Sequence, residues 1–84
     1  MNKTDALYMY RIFSNLTENH SRDPNLETIL AKDYHYSVKY AKTYLKDAFP
    51  QAHPVIFDSP LREEYVEFLK KINYDMDNVS EWLV

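Results

Sequence analysis

The chain has no glycine among its 84 residues. Glycine is the residue that enters positive φ most freely, so it usually closes tight hairpins and ends helices. A chain without it is steered away from β-hairpins. It is steered toward helices joined by loops that Asn and Pro mark. Gly-rich phosphate loops and glycine-flanked serine elbows are excluded with it.

Length and composition narrow this further. Eighty-four residues form one domain, residues 1–84, and a domain of this size buries only about 60% of the surface its unfolded chain exposes. Apolar residues at 45% and charged residues at 27% are a globular balance. Eight tyrosines and four phenylalanines supply large rings for a small core, with hydroxyls at its rim. Tyrosine is also enriched at interfaces for the same amphipathic reason. The absence of cysteine excludes disulfides, thiolate zinc sites and cysteine nucleophiles, and fits a reducing compartment. Residues 1–5 lead into a stretch broken by Arg11, without the continuous apolar core of a signal peptide. No run approaches the ~20 apolar residues of a membrane span. The expected location is the cytoplasm, and no membrane partner is expected. A net charge of −3 argues against general nucleic-acid binding.

Periodicity predicts four to five short helices. The first runs from about Asp5 to Glu18, capped by Thr4 or Asp5. Its apolar arc (Ala6, Met9, Tyr10, Phe13, Leu16, widened by Tyr8 and Ile12) is broad enough to imply packing on more than one side, or a partner chain. Residues 19–24 form a polar connector. Asp23 then caps a short helix with Pro24 at its first position and Leu26, Ile29 and Leu30 on its edge. The third helix spans about Tyr34 to Ala48, with Asp33 as cap and Tyr36, Tyr40, Ala41, Tyr44, Leu45 and Ala48 on one face. Residues 49–60 hold three of the four prolines and read as a structureless crossing anchored by Val55, Ile56 and Phe57. A fourth helix starts at Pro60 with Ser59 as cap, faces inward with Leu61, Tyr65, Phe68, Leu69 and Ile72, and carries a Glu67–Lys71 pair. Asn73 ends it. Asn78 and Glu81 have capping-box spacing before a last turn, in which Trp82 is expected to dock.

A weak internal echo aligns Leu30–Lys46 with Val55–Lys71 at an offset of 25. The run from Ala31 to Lys46, followed by Phe49–Pro50–Gln51–Ala52–His53–Pro54–Val55–Ile56, resembles a helical repeat of uncharacterised phage and bacterial proteins. That repeat reads approximately YAxxVLKGRFPEAExxI. Tyr40–Ala41, Leu45–Lys46 and Phe49–Pro50 carry the match over residues 29–60, and residues 61–72 follow it loosely. Asp47 and Ala48 replace a Gly-Arg pair, and His53 replaces an acidic residue. The resemblance implies stacked helices and a phage or bacterial origin. It implies no chemistry.

Candidate sites are few. His20, His35 and His53 match no compact zinc spacing and read as surface residues. Glu63 and Glu67 share one exposed helix face. Asp75 and Asp77 lack the glycine and terminal glutamate of a calcium loop. No catalytic, cofactor or metal residue is expected, and the chain reads as a non-enzyme. The one functional-looking feature is the row His35, Lys39, Lys42 and Lys46 on the polar face of the third helix. It reads as a solvated face, as a contact for an acidic protein surface, or as a phosphate-backbone contact. Basic residues outnumber acidic ones in residues 1–46, and the reverse holds in 47–84.

The expected architecture is a compact all-α domain of four to five short helices with a weak internal repeat. It is expected to offer rigid faces rather than a pocket sized for chemistry. The expected function is a non-catalytic protein-interaction module, as in a phage accessory factor acting on a host or viral protein in the host cytoplasm. The rivals are a small nucleic-acid binder using the lysine face and a structural, self-associating protein.

Overall fold

The computed structural model describes residues 3–18 and 22–83. Among them lie six continuous helical runs rather than four or five. They are α1 (Lys3–Glu18), α2 (Pro24–Leu30), α3 (Tyr34–Tyr40) running on into a π turn (Ala41–Leu45), a 3-10 turn (Pro50–Ala52) leading into α4 (His53–Ile56), α5 (Arg62–Lys71), and a terminal 3-10 helix (Met76–Trp82). The radius of gyration is 12.6 Å, near the ~12 Å of a packed domain of this length.

Two expected caps are in place. The Asp23 carboxylate accepts from the amides of Asn25 and Leu26 at 2.9 and 3.2 Å, with Pro24 at the first helical position. Asp33 accepts from the Tyr36 amide at 3.0 Å. The other helix starts differ from expectation. α1 begins at Lys3, so Thr4 and Asp5 lie inside it, and its cap falls outside the described residues. α5 begins at Arg62. Ser59 instead organises the preceding turn, accepting from the Leu61 amide at 3.2 Å. Asp75, not Asn78, caps the last helix by accepting from the Asp77 amide at 3.0 Å.

Residues 50–56 are helical, not structureless, because Pro50 and Pro54 stand in first turns, where no amide hydrogen is needed. Ile56 and Phe57 are buried there, as the inward anchor requires.

Without glycine, two helices end on other residues at positive φ. Asn73, at φ 59, follows α5. Its amide donates to the Lys70 carbonyl at 3.1 Å, and the Tyr74 amide reaches the Leu69 carbonyl at 3.0 Å. Together these bonds form a complete Schellman motif. Lys46, at φ 52, ends the π turn. Its amide donates to the Ala41 carbonyl, as does that of Asp47 at 3.3 Å. The third helix therefore stops three residues short of Ala48.

The core joins Leu16 of α1, Leu30 of α2, Val38 and Tyr40 of α3, Phe49, Ile56 of α4, Tyr65 and Leu69 of α5, and Val79. Trp82 docks as expected. Its ring stacks on Phe57 at 5.9 Å, and the Arg62 guanidinium donates to its carbonyl.

The internal echo does not extend to element boundaries. Asp33 caps α3 directly, whereas Asp58 lies four residues before Arg62. The first unit ends in a π turn and the second in a Schellman motif. What the two share is one fully buried tyrosine each, Tyr40 and Tyr65.

Candidate functional site

The two buried tyrosines hold the frame on which the outer surface rests. Tyr40 donates to the Glu27 carboxylate at 2.6 Å. Glu27 is itself buried, and Arg22 grips it with Nε and Nη2 at 2.7 and 3.1 Å. That grip holds the guanidinium proton more tightly than usual. Burial, then the bond to Glu27, pushes the Tyr40 phenol well above its usual range. Tyr65 sits in a neutral network. Its phenol oxygen accepts from the Phe49 amide at 2.9 Å and lies 2.8 Å from His53 Nε2. Neutral His53 with its proton on Nδ1 offers Nε2 as the acceptor for the buried phenol hydrogen. Burial lowers the His53 pKa, which favours that neutral form, and burial raises that of Tyr65.

His53 is thus a buried structural residue, contrary to its reading as a surface histidine. His35 is exposed, and its ring meets Tyr36 edge-on at 5.0 Å. His20 lies outside the described residues.

The predicted lysine row is exposed, but it is not one uniform basic stripe. Lys39 Nζ stands 5.4 Å above the Phe13 ring of α1, in cation–π range. Lys42 reaches across to α5, where Glu64 lies at 3.7 Å. Lys46 drops out of the row. The i→i+5 bonding of the π turn widens the helix there and rotates Lys46 relative to an α-helical continuation. Glu67 lies 3.9 Å from Lys70 rather than pairing with Lys71.

Two open hollows flank the Lys42–Glu64 pair in the furrow between α3 and α5. One, of about 370 Å³, is walled by His35, Lys39 and Thr43 and floored by Val38 and Leu61. The other, of about 460 Å³, lies among Glu67, Phe68 and Lys71. Volumes of this size fall within the range of ligand clefts, contrary to the expectation of no such pocket. The furrow sets a basic wall on α3 against a largely acidic wall on α5. The acidic wall is what reading the lysine row alone missed. Its members were visible only as an outward-facing set of glutamates, and nothing in their spacing says which helix they face.

Beside the furrow runs an aromatic strip. Phe13 and Tyr36 meet at 5.5 Å, and Tyr10 and Tyr36 at 6.4 Å. Leu7, Tyr8 and Tyr10 of α1 are each about half exposed, at 51%, 50% and 51%. Within the broad arc of α1, Ile12 and Leu16 are taken into the core while Tyr8 and Tyr10 stay half exposed, and Leu7 lies outside that arc. Among the described residues no helix is long and apolar enough to cross a membrane. No protein-family model, curated protein or solved structure matches the chain.

Proposed function

We propose that the chain is a non-catalytic protein-binding module that engages a host or viral protein through the α3–α5 furrow and the adjoining aromatic strip. The observation that carries this reading is the pairing of apolar floors with walls of both charge signs. Protein surfaces present apolar anchors among mixed charges, and Tyr and Phe at such a face are typical contact residues. A phosphate backbone would meet Glu64 and Glu67 beside the lysines, which disfavours the nucleic-acid alternative. The phage or bacterial origin implied by the repeat resemblance makes a host protein the partner we propose.

The test is capture from host cytosol by the wild-type chain and by a Lys39→Gln, Lys42→Gln, Lys46→Gln triple variant. Retention of a defined protein at both 50 and 200 mM salt supports the reading. Oligonucleotide binding whose affinity falls steeply over that range, and which the triple variant abolishes, overturns it.

A second reading, self-association, is favoured by the exposure of Leu7, Tyr8 and Tyr10. Light scattering at two concentrations tests it, and a strict monomer removes it.

A further inference from the structure

We infer that the α3–α5 furrow receives a single amphipathic helix of the partner, which seats two apolar side chains seven residues apart in the two hollows and places an opposed charge pair over Lys42 and Glu64. This rests on the protein-binding reading and specifies the partner at the same site.

The argument begins with the walls. His35, Val38, Lys39 and Lys42 follow i, i+3, i+4, i+7 spacing along α3, so they form one helical ridge. Glu64, Glu67, Phe68 and Lys71 do the same along α5, and Leu61 stands one turn before Glu64, just ahead of the helix. The Lys42–Glu64 contact and the shared lining of the two hollows bring these ridges face to face, and the furrow between them can take the ridge of a third helix. The apolar floor is not continuous. Leu61 with Val38 floors one hollow and Phe68 the other. Leu61 and Phe68 are seven residues apart, about 10.5 Å of helical rise. A helix lying along α5 meets that spacing with apolar residues at i and i+7.

Between the hollows stands the Lys42–Glu64 pair, with side-chain exposures of 38% and 53% at a separation of 3.7 Å. An ion pair this exposed contributes little, so it opens readily to an incoming pair of the complementary order. The charges then select the occupant. Lys39 and Lys42 line one wall, and Glu64 and Glu67 the other, with Lys71 at its far end. A helix with acidic residues on both flanks meets like charge on α5. A helix with basic residues on both flanks meets it on α3. Only a helix with one acidic and one basic flank satisfies both walls.

The test uses three synthetic fluorescent peptides of helix-favouring sequence, each with Leu at i and i+7. One carries Glu on one flank and Lys on the other, one has Glu on both flanks, and one has Lys on both. Binding by polarisation to the full chain should favour the mixed peptide by about tenfold or more. Replacing either Leu by Ala should weaken it. A Glu64→Lys, Glu67→Lys double variant, at two exposed positions, should turn the preference to the all-Glu peptide.

Equal binding of the three peptides, or a preference that survives the double variant unchanged, overturns the inference. If the double variant still captures the host protein as well as wild type, the furrow is not the docking site and the inference falls, while the protein-binding reading stands. If an oligonucleotide is bound and no peptide is, both fall.

Discussion

Tyr40 and Tyr65 occupy corresponding positions in two helices, and both are fully buried, yet their hydroxyls are satisfied in opposite ways. Tyr40 ends on a carboxylate that Arg22 also holds, at the edge of the domain where the guanidinium stays exposed. Tyr65 ends on a backbone amide and a neutral imidazole with no formal charge in the network. The difference teaches that one residue type at one helical position can serve two kinds of site. A charged anchor suits an edge, where solvent shares the load. A neutral one suits the interior, where an ion would be expensive to desolvate.

The largest effect should come from Tyr65→Phe. It leaves the buried Phe49 amide and His53 Nε2 without their partner, and should reduce stability by about 2–3 kcal/mol in a denaturant titration. Tyr40→Phe should lose less, about 1–2 kcal/mol, because both carboxylate oxygens of Glu27 keep Arg22. Equal losses from the two variants would break the comparison.

The pH dependence should separate the networks next. The folded-state pKa of His53 is depressed below 6.5, so the unfolded chain binds its proton first as pH falls. Stability should be full above pH 6.5 and decline below it. Imidazolium has no lone pair at Nε2, so protonation takes away the acceptor of the buried phenol hydrogen. His53→Gln keeps an acceptor for the phenol and should flatten that acid limb. An unchanged limb would show that His53 does not control it. Both phenols are held above their ordinary value of 10.0, so a further decline is expected as pH rises past it, when the unfolded tyrosines ionise first. Tyr65→Phe and Tyr40→Phe should each remove part of that alkaline limb.

The smallest effect should be Lys46→Gly, a gain of about 0.5 kcal/mol. Relief of a left-handed lysine of about 1 kcal/mol is partly offset by a looser unfolded chain. A loss on thermal melting would mean that the lysine side chain itself stabilises the turn.

The all-α class was legible from the missing glycine and the ring periodicity, and the caps at Asp23 and Asp33 from their place before a helical run. These are local signals. The π turn was not legible: Tyr40 and Tyr44, whose rings stack at 5.2 Å, keep ordinary i,i+4 spacing, and nothing in Ala41–Leu45 marks the wider turn. Glu27 carries no signal of burial in the sequence. Its partners lie five residues before it and thirteen after, at no shared period. His53 looked like a surface residue beside prolines until Tyr65 was brought to it across twelve positions. The lysine row was readable as a row. Its division among Phe13, Glu64 and a left-handed helix end depends on which helices become neighbours.

The two left-handed helix ends, at Lys46 and Asn73, have a counterpart in the denatured ensemble. A polypeptide with a Cβ on every residue samples fewer backbone conformations when unfolded, so it surrenders less disorder on becoming native. Concentrating conformational strain at two junctions while narrowing the random state along the whole length is one route by which so small a domain can hold a single shape.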